Sequence, residues 1–136
     1  MSKIDALDYL ESLTPYQINY ILAKIGMGYD VAPTEIEGRG VIIVGQNALQ
    51  VFNPLDEMSD AFALVQTFGI VVIPQSTDDG GFNWYAMDID HVSYRGSEVA
   101  IAEGYDSSYS DETYQVAVTN CALLSLYNRG LIEIEV

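Results

Sequence analysis

The chain has 136 residues, 49% hydrophobic and 18% charged, ample for one sizeable core and too apolar for a disordered chain. Its 20 Asp and Glu against 5 Lys and Arg give a formal charge of −15. A basic footprint is therefore missing, and neither a nucleic-acid backbone nor an anionic membrane surface is an expected partner.

Ile4, Leu7, Tyr9 and Leu10 give residues 3–12 a short helical pattern. Thr14-Pro15 then reads as an N-cap followed by proline at the first helical position. Ile18, Ile21, Leu22 and Ile25 carry the helical spacing on, and Gly26 and Gly28 stop it, so a helix or helical hairpin is predicted over about 3–26. Residues 27–40, with Pro33, Gly28, Gly38, Gly40, Glu35 and Glu37, read as a loop. Val41-Ile42-Ile43-Val44 is a β-branched run and hence a strand, Gly45-Gln46-Asn47 turns it, and Leu49–Phe52 pairs back.

Asn53-Pro54 repeats the cap-then-proline signal, which predicts a helix to about Phe68 ending at Gly69. Leu55, Met58, Phe62 and Val65 form its apolar stripe, widened by Ala61, Leu64 and Phe68. Asp56, Glu57 and Asp60 fall in its first turn, where the helix dipole favours anions; Asp56 and Asp60 share a face, yet the dipole accounts for them without acid–base chemistry. Residues 70–74 form the most strand-like run, 76–81 a hairpin loop, and 82–89 a strand with aromatics on both faces. A second turn at 94–96 leads to a third strand of the same meander at Val99 and Ile101. Residues 103–111 read as a polar loop. Ser110 or Asp111 caps a last helix that is apolar most of the way round and so belongs at the centre. Asn128-Arg129-Gly130 ends it, and 131–136 reads as a closing edge strand.

This order predicts a single domain over 1–136, with a helical lead-in and loop at 1–40 and a sandwich core at 41–136. The fold class is α+β: an antiparallel β-meander covered by helices, α/β/α sandwich-like. Asp5, Asp8 and Glu11 break the apolar run that a secretory leader needs, and Gln66, Thr67, Gly69 and Pro74 interrupt the longest uncharged segment. A cytoplasmic protein is expected. Cys121 is the single cysteine, so neither an intramolecular disulfide nor a cysteine-based zinc cluster can form. Its apolar neighbours Ala122, Leu123 and Leu124 predict a buried, inert thiol.

No phosphate-binding glycine loop, nucleophile elbow or HExxH motif is present. Asp88, Asp90 and His91 have the chemistry of a divalent-cation site and equally of an exposed polar turn; with no second ligand cluster, the turn is the expectation. The carboxylates occur singly or in pairs on every element rather than in rows, which suits solubility better than mimicry of a phosphate lattice. Ten tyrosines are many for this length. Tyr85, Tyr94, Tyr105, Tyr109 and Tyr114 gather with Trp84 in the second half, and tyrosine offers rigid contact area with a polar tip.

Three motifs carry a resemblance: Phe52-Asn53-Pro54 with a helix containing Asp60-Ala61-Phe62, a strand with Trp84-Tyr85-Ala86, and a late helix running Ala117-Val118-Thr119-Asn120-Cys121-Ala122-Leu123. In this order the segment 52–129 resembles the phage ABA-sandwich domain and, more distantly, NinX-like phage accessory proteins. The family's F-x-P turn, W-x-A/V strand and alanine-rich terminal helix match at these positions. Residues 1–40 are longer than the family's lead-in, and 131–136 is an addition. The resemblance implies an α/β/α sandwich in a phage accessory protein, with Trp84 as core, and transfers no catalytic residue. Trp84→Ala is then expected to cost about 3–5 kcal/mol.

The expected function is a non-catalytic phage accessory protein that binds and neutralises a host factor, a defence protein above all, with Tyr105, Tyr109, Asp106, Asp111 and Glu112 at the contact. The alternative is sequestration of a nucleotide-like ligand by Arg95, Tyr94 and Arg39. A metal enzyme using Asp88, Asp90 and His91 is the third and least supported reading. No cofactor, metal or catalytic residue is implied. Self-association is expected through the apolar edge of Leu131, Ile132 and Ile134, and a monomer in sedimentation at micromolar concentration would contradict it.

Overall fold

A computed structural model describes residues 3–35, 40–44, 49–88, 92–95, 98–101 and 108–128. The helical lead-in is there as predicted: α1 (Lys3–Ser12), α2 (Pro15–Ile21) and a π-helical turn over Leu22–Gly26. Thr14 caps α2 reciprocally. Its hydroxyl accepts the Gln17 N–H at 3.2 Å, and the Gln17 carbonyl oxygen accepts the Thr14 N–H at 2.8 Å.

The predicted loop at 27–40 is instead partly a strand, β1 (Val31–Glu35), antiparallel to β2 (Val41–Val44), which pairs in turn with β3 (Leu49–Phe52). Pro33 argued against a strand, but β1 lies at the edge of this sheet and its register slips between Val31 and Glu35, where a missing N–H is tolerated. Val41 and Phe52 are cross-strand partners and both turn into the core.

The third helix, α3 (Met58–Phe68), starts later than predicted. Residues 53–57 form a turn, in which the Asn53 carbonyl accepts the N–H of Asp56 at 3.1 Å and of Glu57 at 2.8 Å. Of the three acids expected in the first helical turn, only Asp60 is inside the helix. Asp56 and Asp60 both bind Asn53 rather than acting as a helical carboxylate pair. The buried stripe is rotated as well: Ala61 and Leu64 are fully buried, whereas Met58 and Phe62 are half-exposed. The C-terminus is as predicted, with Gly69 at φ 68° and its N–H donating to the Val65 carbonyl at 3.0 Å.

Strands β4 (Ile70–Ser76) and β5 (Phe82–Asp88) form the expected hairpin. Their third neighbour is not the segment at 99–101. Strands β6 (Val92–Arg95) and β7 (Glu98–Ile101) make a separate two-stranded sheet, so Tyr94 is paired in a strand rather than in a turn. The sheet is completed by β8 (Ser108–Asp111), inside the stretch read as a polar loop. Its sequence is mostly polar, and what makes it a strand is the non-local pairing of Ala86 with Tyr109 and Trp84 with Asp111.

Helix α4 (Tyr114–Asn128) is central, as its all-round apolar surface predicted. Every residue from 117 to 127 is buried. It packs on β5 and β8 on one side and on α1, α3 and the π-turn elsewhere. Ile70, Val72, Trp84, Ala86 and Tyr109 face it from the sheet. Tyr127 stacks on Tyr9 of α1, centroids 5.0 Å apart, and burial followed by the neighbouring Tyr127 raises the Tyr9 phenol above its ordinary value. Cys121 is fully buried, as predicted. The architecture is thus α+β, with helices packed against antiparallel sheets. The closing strand expected at 131–136 lies outside the described residues.

Trp84 is only half-buried. Its ring sits edge-on between Phe82 and Tyr114, each centroid 5.4 Å away. The cost of Trp84→Ala is accordingly lowered to about 2 kcal/mol, as read by urea denaturation.

Candidate functional site

The register that places Trp84 opposite Asp111 brings the β4–β5 loop beside the β8–α4 junction. Between them lies a polar cleft of about 460 Å³ lined by Thr77, Asp79, Gly81, Phe82, Asn83 and Glu112. The loop is tightly built. Thr77 N–H donates to the Gly81 carbonyl at 3.0 Å, and Gly80, at φ 88°, donates to the Thr77 carbonyl at 3.2 Å. The Asp79 carboxylate accepts the Thr77 hydroxyl and, at 3.2 Å, the Gly81 N–H.

Those donors, the Thr77 hydroxyl first and the Gly81 N–H next, hold the Asp79 carboxyl below its ordinary value of 3.8. A depressed folded-state pKa stabilises the loop above the ordinary value, and that contribution is lost as pH falls through the folded one. In Thr77→Val the Asp79 midpoint, followed by carbonyl NMR, is expected to rise towards 3.8; an unchanged midpoint would remove the hydroxyl as the cause.

Phe82 is 53% exposed and stands at the end of the aromatic series Phe82, Trp84, Tyr114. Burial raises the Tyr114 phenol above its ordinary value. The cleft therefore presents an exposed aromatic ring among the carboxylates of Asp79 and Glu112. That combination suits a guanidinium or ammonium group, which gains both charge pairing and contact with a ring face.

Of the residues singled out from sequence, Tyr109, Asp111 and Glu112 lie in β8 and at its junction with α4. Glu112 is exposed and lines the cleft. Asp111 is half-buried and accepts the Thr113 N–H at 2.9 Å; the cap expected at Ser110 or Asp111 falls instead at Thr113, the residue before α4, whose carbonyl accepts the Ala117 N–H at 3.0 Å. Tyr109 is half-buried and packs against the core from β8. Tyr94 and Arg95 lie in β6, opposite Val99 and Glu98. Asp88 pairs with Ile70. Tyr105, Asp106, Arg39, Asp90, His91 and Arg129 are outside the described residues. Among the described residues no three His, Cys, Asp or Glu side chains gather as a cation site, and no helix is long and apolar enough to cross a membrane. Sequence reasoning missed Asp79, Phe82 and Asn83, because 76–81 read only as a turn and β8 only as a loop.

No protein-family profile matches the chain, and no curated protein does. Among solved structures, the chain is similar to a phage protein from Bacillus cereus ATCC 14579, with 20% sequence identity, a TM-score of 0.46, and coverage of 85% of this chain and 89% of that one. The resemblance to the phage ABA-sandwich domain accordingly rests on the three short motifs.

Proposed function

We propose that the protein is a non-catalytic bacteriophage accessory protein that binds and neutralises a host factor, a defence protein above all. The observation that carries this reading is the cleft in which Asp79 and Glu112 frame the exposed ring of Phe82. The partner it suits is a basic protein surface that inserts an arginine or lysine side chain. The charge of −15 supports the same partner, since it attracts basic surfaces at long range and repels anionic ones. The phage setting is supported by the order of the Phe52-Asn53-Pro54, Trp84-Tyr85-Ala86 and 117–123 motifs. Action in the host cytoplasm, without a cofactor and as a self-associated protein, belongs to the same proposal.

The test compares tagged wild-type protein with an Asp79→Lys/Glu112→Lys variant in pull-downs from host lysate, at two salt concentrations. A basic protein enriched by the wild type should fall about tenfold or more with the variant and weaken with salt. Equal capture by a variant whose melting curve matches wild type would overturn the reading.

A further inference from the structure

The sheet of β1, β2 and β3 has two edges, and they are built differently. Strand β1 carries Pro33 and a slipped register, both of which discourage a further strand. Strand β3, Leu49-Gln50-Val51-Phe52, has neither proline nor charge, and its pairing with β2 is regular along its whole length. Elsewhere among the described residues the sheet edges are protected: β4 holds Pro74, β8 holds Asp111, and β6 and β7 carry Arg95 and Glu98.

One hydrogen bond sets the direction of the backbone groups. Val44 N–H donates to the Asp30 carbonyl at 2.8 Å, on the β1 side. Backbone groups alternate in direction along a strand, so those of Ile43 and Val41 face β3. Their partners Gln50 and Phe52 are therefore the residues bonded to β2, and the N–H and C=O of Leu49 and Val51 point away from it. Among the described residues β2 is the one neighbour of β3, and nothing pairs with these outward groups. The side chains along the edge are open as well: Gln50 is exposed, and Val51 is 53% exposed. The outer face beside the edge is apolar, with Ile42, Val44 and Val51 opposite the buried side of Val41, Ile43 and Phe52.

We infer that the β3 edge pairs antiparallel with the β3 edge of a second copy, about a two-fold axis at Gln50. In that register Leu49 of each copy and Val51 of the other exchange both backbone hydrogen bonds, so every outward group of the two strands is used. The two sheets become one, and their apolar outer faces join. Charge favours this occupant. Two chains of −15 repel wherever carboxylates meet, and β3 brings none opposite another. A basic host surface, in turn, finds no carboxylate on β3 to pair with. The inference rests on the self-association included in the proposed function and moves its surface from residues 131–134 to β3.

An edge of 4 residues buries far less than a standard interface of about 1,600 Å², so the dimer is reversible. Sedimentation of the full chain between about 1 and 200 μM should show the mass rising towards a dimer. Added salt should tighten the dimer by screening the mutual repulsion, whereas it weakens the host-factor contact; the opposite responses keep the two readings apart. In amide exchange, Leu49 and Val51 should slow about threefold or more at the high concentration, while Gln50 and Phe52 are protected at both. Val51→Pro removes an outward N–H, leaves the β2 ladder intact and should be monomeric throughout. Val51→Lys should be monomeric too, and because it lowers the negative charge, overall repulsion is not the cause. Should the proline variant fail to fold, Val51→Lys decides, since an exposed position tolerates lysine. A wild-type monomer at every concentration, including one that takes up an extended host peptide, overturns the pairing. So does a dimer kept by folded Val51→Lys.

Discussion

Leu64→Ala is expected to lower stability by about 2–5 kcal/mol, whereas Phe62→Ala should cost under about 1 kcal/mol. Both residues belong to one apolar stretch of α3, and side-chain size alone would rank them the other way. Leu64 is fully buried where α3 packs on α4, so its truncation opens a cavity with no route for collapse. Phe62 is 52% exposed, so its truncation removes little buried area. Urea denaturation of the two variants decides between them. If Phe62→Ala proves the more damaging, α3 is rotated from the arrangement described. If the cost of Phe62→Ala appears only at high protein concentration, a second copy covers that ring.

The rotation of α3 also marks where sequence reasoning ran out. A period of 3.6 residues identifies a helix, but Met58, Phe62 and Val65 make as good a stripe as Ala61, Leu64 and Phe68. Packing against α4 decides between them, burying Ala61 and Leu64 fully, and the Asp60 carboxylate, which accepts the Asn53 N–H at 2.9 Å, ties the start of the helix to the turn at 53–57. Signals confined to neighbouring residues were legible: the Thr14–Gln17 capping box, the left-handed Gly69 and the apolar surface of α4. Pairings between distant segments were not. Strand β1 carries a proline and β8 is mostly polar, and each is a strand because a partner supplies its ladder. The candidate site inherits that difficulty. Glu112 stood out as part of an acidic, tyrosine-rich stretch, but only the β5–β8 register joins it to Asp79 and Phe82.

Asn53 holds together three parts of the fold, and Asn53→Ala should cost about 2–4 kcal/mol. Its side-chain oxygen accepts the amide of Asn19, a fully buried residue of α2, at 2.9 Å. Its side-chain nitrogen donates to Asp56 at 2.9 Å, and its backbone N–H donates to Asp60 of α3 at 2.9 Å. Alanine keeps the backbone bonds but removes both side-chain ones, and Asn19 loses a partner where water cannot replace it. Asn53→Asp separates the two side-chain roles. An acceptor still faces Asn19, but the donor towards Asp56 becomes a second carboxylate. Two carboxylates at hydrogen-bond distance raise the pKa of the pair in the folded state. A raised folded-state pKa means the native protein takes up a proton more readily than the unfolded chain, so the loss in Asn53→Asp should shrink as pH falls towards 5. Asn53→Ala has no such group and should show no recovery over the same range. Urea melts of both variants at pH 7 and about pH 5 test the assignment. An Asn53→Ala protein within about 0.5 kcal/mol of wild type would mean that Asn19 is satisfied without Asn53, and that the turn at 53–57 is held by its backbone alone.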